Sequence, residues 1–409
     1  MFKGSTRVVL LAAAVALFAA AIAGAQTVQV GSNASITFHG FISATFFGQD
    51  QNFTFGNGQN AEFPVPPETK VDRWFYGGDV RNTRLSMVFD GPKVAGDWKV
   101  NATLEADFFG GNPQPPSAFS GQQPNPRLRL AFIDFTNGST TLRLGQQWSP
   151  LFGNVPVSLS HIAFPLGYGA AGDIGWRFPG IFLYQNLTAK GAPVAMDLQF
   201  AIMSGSWTAP AGTTTESFNT AGNAGSSGTP QFELRFNAGG KSGDTTWSAY
   251  AVGHLDQKDL SGAGAVQTAD KPMVNGTAVE IGAKFQIGGF LIQGNGYTGH
   301  SIGQQFGAIT QFGKIQSEGG WLQAGYDFTK NWGMFGFWGM DDPKDKDVLA
   351  ALGSPATARL RNEMLAAMLR WRAGPFNLGV EWMYDKLKSG ATPVETKGNQ
   401  VSMSALYTF

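Results

Sequence analysis

Cysteine is absent from all 409 residues, which excludes disulfides, thiolate metal sites and attachment of a lipid through an N-terminal thiol. Charge is scarce as well: Asp, Glu, Lys and Arg make up 14% of the chain, where a soluble domain carries ~25%. Apolar runs of helical membrane-spanning length are missing beyond the N-terminus, so a chain with this little charge would have to cross a bilayer, if it does, with strands. No Walker loop, no GxSxG elbow and no basic tract occurs, so nucleotide hydrolysis, serine hydrolysis and nucleic-acid binding lose their usual signatures. The four histidines, His39, His161, His254 and His300, lie in separate segments without metal spacing. No enzymatic activity, metal or cofactor is expected.

What is present begins with a leader. Lys3 and Arg7 precede the apolar run Val8 to Ala23, and Ala23-Gly24-Ala25 is the small-residue pattern that signal peptidase reads. The expectation is a cleaved signal peptide, 1–25, and one domain, 26–409. The run is shorter than the ~20 residues of a bilayer span and lacks a positive flank on its far side. Removing Lys3 and Arg7 takes the basic residues from 29 to 27 against 29 acids, a near balance that names no partner.

The last residues, Val401 to Phe409, alternate: Val401, Met403, Ala405, Tyr407 and Phe409 on one face, Ser402, Ser404, Leu406 and Thr408 on the other. One greasy face and an aromatic end suit the closing strand of an outer-membrane barrel, with Tyr407 and Phe409 as its assembly signal. Alternating segments bounded by Gly, Pro, Asn and Asp give about sixteen strand candidates. Their connections alternate long and short: 49–79, 109–126 and 149–172 are long, whereas Gly91 to Ala95, Asn137-Gly138 and Gly288-Gly289 are short. The fold expected is all-β, a transmembrane antiparallel β-barrel with long extracellular loops and short periplasmic turns. Two places break the alternation, Ile133 with Phe135 and Phe335 with Phe337; a bulge, a subunit contact or an inward loop is expected there. Tryptophans near strand ends, among them Trp148, Trp176 and Trp321, read as interfacial belts. Asp341 to Asp347 reads as a solvated loop.

Alternation also picks out the wall that faces the lumen. Arg84 stands opposite Leu85, Glu105 and Asp107 opposite Leu104 and Ala106, and Arg127 and Arg129 opposite Leu128 and Leu130. Arg143 and Gln147 share a parity, and Arg235 and Lys284 fall on the polar faces of later strands. With a turn at Asn137-Gly138, Arg143 is expected to face Ala131, and Arg129 to face Gly145. Arginine stays charged and binds carboxylates in bidentate fashion, so such a wall selects anions. The other reading is a lattice in which Glu105 and Asp107 neutralise Arg127 and Arg129. Loss of anion preference on replacing Arg129 and Arg143 with Ala would mark the filter, and no change would mark the lattice. Loop 149–172 carries Leu151, Phe152, Val155, Leu159, Phe164 and Leu166 and hardly any charge; folding it into the mouth or against a neighbouring subunit would bury that surface.

The segments Thr83 to Met87, Glu105 to Gly111, Arg127 to Phe132 and Leu142 to Phe152 resemble the DcaP-type porins. That resemblance implies a trimeric, sixteen-stranded outer-membrane channel for dicarboxylic and aromatic acids, lined by Arg84, Glu105, Asp107, Arg127, Arg129 and Arg143. Many such porins carry a helical coiled-coil segment before the barrel, whereas here the first strand candidate follows within ten residues of the cleavage pattern. The partners expected are outer-membrane lipid, the barrel assembly machinery through the C-terminal strand, a homotrimer and small solutes, with no nucleic acid. The function expected is passive diffusion of small hydrophilic solutes with a mild preference for organic anions; the alternative is a plugged structural or adhesive barrel acting through its loops.

Overall fold

The computed structural model describes residues 26–30, 32–54, 58–66, 73–110, 124–204, 229–259 and 273–409; the leader and the loop Thr208 to Gly228 lie outside them. The strands are β1 (Gln26–Gln29), β2 (Ser35–Gln49), β3 (Phe75–Asp79), β4 (Arg84–Val94), β5 (Trp98–Gly110) and β6 (Asn125–Asn137). Then come β7 (Thr140–Trp148), β8 (Arg177–Asn186), β9 (Val194–Met203), β10 (Gln231–Ser242), β11 (Thr245–Asp259) and β12 (Met273–Ile287). The chain ends with β13 (Phe290–His300), β14 (Gln316–Asp327), β15 (Trp332–Pro343), helix α1 (Asp345–Leu352), β16 (Arg359–Ala373), β17 (Phe376–Ser389) and β18 (Val394–Thr408).

Sixteen of these strands close into an antiparallel barrel, with β1 and β3 as short additions on β2. Closure joins β18 to β2 from Gln400 opposite Gln49 to Thr408 opposite Phe41. The terminal Phe409 exchanges both backbone hydrogen bonds with Gly40 at 3.0 Å, and the Tyr407 ring rests on Phe376 at 4.8 Å. A sheet with no free edge is what hydrocarbon demands, because an unpaired strand edge has no water to bond there. Deleting Phe409 is expected to impair closure and assembly, seen as loss of folded, heat-modifiable protein from outer membranes; wild-type amounts of folded truncated chain would contradict it.

The period of two separates lipid from lumen. Along β12, Val279, Ile281, Phe285 and Ile287 are exposed on the outer wall while Glu280 is fully buried within. On β18, Val401 and Met403 face out, and Ser402 and Ser404 face in. Short connections fall at one end: Gly288, at φ 55°, turns β12 into β13 in two residues, a geometry that favours glycine. Both breaks in alternation have causes. In the β5–β6 ladder Glu105 pairs with Leu130 but Ala106 with Leu128, so Arg129 is an extra residue and the phase of β6 flips, leaving Ile133 outward and Asp134 inward. Phe335 and Phe337 face inward because chain from the 149–172 loop packs on them: Leu159 on Phe335, and Leu166 and Ala171 on Phe337.

Three expectations need correction. The bulge displaces the β6–β7 register, so Arg143 lies opposite Asp134, not Ala131, and Gly145 lies opposite Phe132, not Arg129. Trp321 is buried inside the barrel, stacked on Phe337, and Trp148 and Trp176 belong to an interior aromatic cluster rather than a belt. Residues 345–352, read as part of a solvated loop, form α1, which buries Val348 against Ile315, Ala358 and Leu360.

Candidate functional site: a collared lumen

The apolar loop 149–172 lies inside the barrel as a collar that follows the inner wall almost all the way round. From the end of β7, Leu151 N–H donates to Glu233 Oε2 on β10 at 2.7 Å. Asn154 Nδ2 then donates to the carbonyls of Ala283 on β12 (2.9 Å) and Gly294 on β13 (3.2 Å). Val157 exchanges two bonds with Gln323 on β14, at 2.7 and 2.9 Å. Ser158 Oγ and His161 Nδ1 reach Glu381 on β17 at 2.9 and 3.1 Å. Finally Asn82 Nδ2 holds Ser160 O at 2.7 Å, and Arg84 Nη2 holds Ile162 O at 3.3 Å. A backbone placed in a lumen needs partners for its polar groups, and wall side chains supply them. The collar's apolar side chains meanwhile fill the gaps between Phe335, Leu291 and Met368. Segment 301–315 packs on the returning limb, where Gly175 N–H donates to Gln305 O at 2.6 Å and Thr310 Oγ1 to Gly169 O at 2.7 Å.

Two groups of wall charge flank the collar. Carboxylates on β10 to β17 (Glu233, Glu280, Asp341, Glu381 and Asp385) are no more than 3% exposed, and two of them are occupied in bonding the collar. The arginine set lies on the opposite wall, at the long-loop ends of β3 to β8. Arg127 forks onto Asp107 with Nε at 3.0 Å and Nη2 at 2.7 Å. Arg129 bridges Glu105 and Asp107, both at 2.7 Å. Arg84 Nε stands 3.7 Å from Glu105, and Arg81 forks onto Asp79 at 2.7 to 3.1 Å. Arg177 is buried and, among the described residues, forms no ion pair and has Nε and Nη1 without partners. Five guanidinium groups against Asp79, Glu105 and Asp107 leave two positive charges. Solvent reaches this set: the side chains of Arg81, Arg127 and Arg84 are 33%, 21% and 17% exposed.

Aromatic rings complete the arginine wall. Phe109, Trp148, Phe152, Phe164, Tyr168, Trp176 and Phe306 form one cluster, with Tyr168 and Trp176 stacked on Phe306 at 4.6 and 4.8 Å. Guanidinium groups lie on their faces: Arg81 and Arg127 on Phe109 at 4.6 and 5.4 Å, and Arg177 on Trp176 at 4.4 Å. Stacking fixes each cation in direction; Arg81 and Arg127 spend Nε and Nη2 on Asp79 and Asp107, whereas Arg177 keeps Nε and Nη1 unpartnered among the described residues.

The residues singled out from sequence divide accordingly. Arg84, Glu105, Asp107, Arg127 and Arg129 meet in one lattice. Arg143 lies elsewhere, in a closed pair with Asp134 at 2.7 and 2.8 Å and 3.6 Å from the Phe132 ring. Gln147 is half-buried beside Tyr184. Arg235 supports the collar, donating to the carbonyls of Pro150 and Phe152 at 2.9 and 3.0 Å. Lys284 stands exposed in the short-turn half. Arg81 and Arg177 were missed: Arg81 sits in the turn between β3 and β4, and Arg177 is the first residue of β8 after the collar, so neither has a run of strand before it to set a face. A sign was nonetheless available in Arg177, an arginine directly after a tryptophan at a strand start.

No protein-family model matches the chain, and no curated protein sequence matches it. Among solved structures it is similar to the outer membrane channel DcaP of Acinetobacter baumannii, with a TM-score of 0.69 at 18% identity over 93% of this chain and 99% of that one. It is also similar to Pseudomonas putida OprB, with a TM-score of 0.57 at 10% identity over 91% and 94%. A third is the outer membrane protein OmpT of Vibrio cholerae in its trimer form, with a TM-score of 0.54 at 11% identity over 92% and 100%. At such identities the likeness is one of fold: this chain is built as a sixteen-stranded antiparallel barrel like those of the solved outer-membrane proteins, and the channel it resembles here is of the kind its sequence segments resemble.

Proposed function

We propose that residues 26–409 form a passive diffusion channel of the bacterial outer membrane, exported through the periplasm behind a cleaved leader, that admits small hydrophilic solutes with a preference for organic anions. The observation that carries this reading is the distribution of charge: the carboxylates that bond the collar are buried, whereas in the wall opposite five guanidinium groups outnumber three carboxylates, and Arg81, Arg127 and Arg84 are the most exposed of them. A solute passing the collar meets a wall with two uncompensated positive charges and flat aromatic faces, which suits a small carboxylate with an apolar body. A homotrimer fits the trimer form of the Vibrio OmpT relative. The C-terminal strand ending in Tyr407 and Phe409 is the part the assembly machinery would read.

Reversal potentials of the purified protein in planar bilayers under a salt gradient test this. Wild type is expected to favour anions. Replacing Arg81 and Arg127 with Gln is expected to bring the permeability ratio to unity or below, most clearly in dilute salt, where screening length grows from ~3 Å at 1 M to ~30 Å at 0.01 M. Replacing Arg143 and Asp134 together, by Gln and Asn, is expected to leave the ratio nearly unchanged, because that pair carries no net charge. Cation preference in wild type would overturn the reading. A second reading, a plugged surface barrel acting through its loops, draws on the inward segments 58–66, where Gln59 bonds Ser43 and Thr45 of β2, 149–175 and 301–315; correctly folded protein without stepwise conductance would favour it.

A further inference from the structure

Behind the collar lies a group of oxygen atoms that the channel reading does not use. Asp173, at the end of the collar's returning limb, is fully buried, and among the described residues neither of its carboxylate oxygens accepts a hydrogen bond. Glu280 is fully buried on β12; its Oε1 accepts from Tyr250 Oη at 2.5 Å and Asn295 Nδ2 at 3.3 Å, and its Oε2 accepts from nothing. Asn295 Oδ1 also lacks a donor.

The backbone holds Asp173 over this strip by both neighbours. Gly172 (φ +91°) presses on Gly320 so closely that a Cβ there would lie 2.3 Å from the Gly320 carbonyl carbon. Gly320 pairs with Gly296, which lies between Asn295 and Tyr297, and Tyr297 is opposite Glu280. On the other side Ile174 packs with Tyr250 and Tyr297. Burial and the neighbouring Glu280 push the Asp173 carboxyl well above its usual range, as expected of two acids sharing one dry site.

Neither acid forms an ion pair among the described residues. The guanidinium of Arg235, whose charge acts on Glu280, stacks on Tyr250 at 3.8 Å and spends Nε on Asn237 Oδ1 and Nη1 on Pro150 O and Phe152 O. Four acceptor oxygens lack donors among the described residues, and the single charge of Arg235 beside Glu280 does not balance two carboxylates, so the group requires a further cation or protons.

We infer that Asp173, Glu280 and Asn295 hold a calcium ion that pins the returning limb of the collar to β12 and β13. Donors of oxygen alone select a hard cation, and a divalent one balances both carboxylates. Calcium accepts an irregular shell completed by carbonyl oxygens and water, where magnesium demands near-octahedral geometry. Among the described residues no group of three or more His, Cys, Asp or Glu side chains is placed to hold a metal, so two carboxylates and neutral oxygens form the site.

The test uses the full folded protein in detergent, stripped with a calcium chelator and then titrated with Ca2+ in a calorimeter. One Ca2+ per chain is expected, with magnesium binding more weakly, and added Ca2+ raises the midpoint of heat modification. Terbium bound there would show emission sensitised by Tyr250 and Tyr297. Asp173→Asn and Glu280→Gln each abolish binding. Where those variants fail to fold, Asn295→Leu removes a neutral ligand and weakens binding about tenfold or more. Absence of binding to stripped wild type overturns the inference, as does one-to-one binding that survives the substitutions. Binding is read without conductance, so its failure leaves the channel reading standing, and the reverse also holds.

Discussion

Replacing residues 151–171 with a short Gly-Ser linker is expected to raise single-channel conductance severalfold and to erase most of the anion preference. The collar occupies the lumen at the level of the arginine wall, and its anchors at Glu233, Gln323 and Glu381 show that it is bonded there rather than draped. Taking it away widens the passage, admits water to the carboxylates of β10, β12 and β17, and so adds negative charge to a lumen whose exposed charge had been positive. Both changes weaken discrimination, because a wide and wet pore screens its own walls. The barrel itself is expected to survive, since each strand keeps its ladder and the released carboxylates gain water. Stepwise conductance equal to wild type, in protein that still shows heat modification, would place the narrowing in segments 58–66 or 301–315 instead.

The barrel was legible because lipid and lumen differ so sharply that an alternation of Val279, Ile281 and Phe285 with Glu280, Gly282 and Lys284 admits one orientation. The collar was legible in part. Its apolar composition marked it as a loop unable to stay in water, and Phe335 and Phe337 marked the wall it covers. Its path was not legible, because the anchors join residues far apart in sequence, such as Leu151 with Glu233 and Ser158 with Glu381, and no local pattern encodes such pairings. The lattice was visible as a set of inward charges, but its partners were not. A single extra residue at Arg129 shifts the β6–β7 register, so Arg143 meets Asp134 and leaves the group to which counting had assigned it. Trp321 misled for a related reason: a tryptophan near a strand end suits a membrane interface, yet here the collar provides an apolar surface within the lumen.

Arg129→Ala is expected to be the most destabilising single change in the arginine wall, and to act on folding more than on selectivity. Its side chain is 2% exposed and holds two carboxylates at once, Glu105 and Asp107, each at 2.7 Å. Removing it strands charge in a dry place: Asp107 keeps Arg127, but Glu105 is left with Arg84 Nε at 3.7 Å. Breaking a buried ion pair by removing one partner costs about 3–5 kcal/mol, chiefly as the penalty of the charge left behind. The lower part of that range is expected here, given the retained partners. The midpoint of urea or heat unfolding, followed by the gel shift of the folded barrel, measures it. If stranded charge is the cause, adding Glu105→Gln to Arg129→Ala should recover a large part of the loss, although it deletes one more native hydrogen-bonding group. A wild-type midpoint for Arg129→Ala would mean that the lattice adds nothing to stability. A loss that Glu105→Gln deepens would trace it to the packing of Arg129 against Trp148, 5.7 Å from guanidinium carbon to ring centre, and not to the charges.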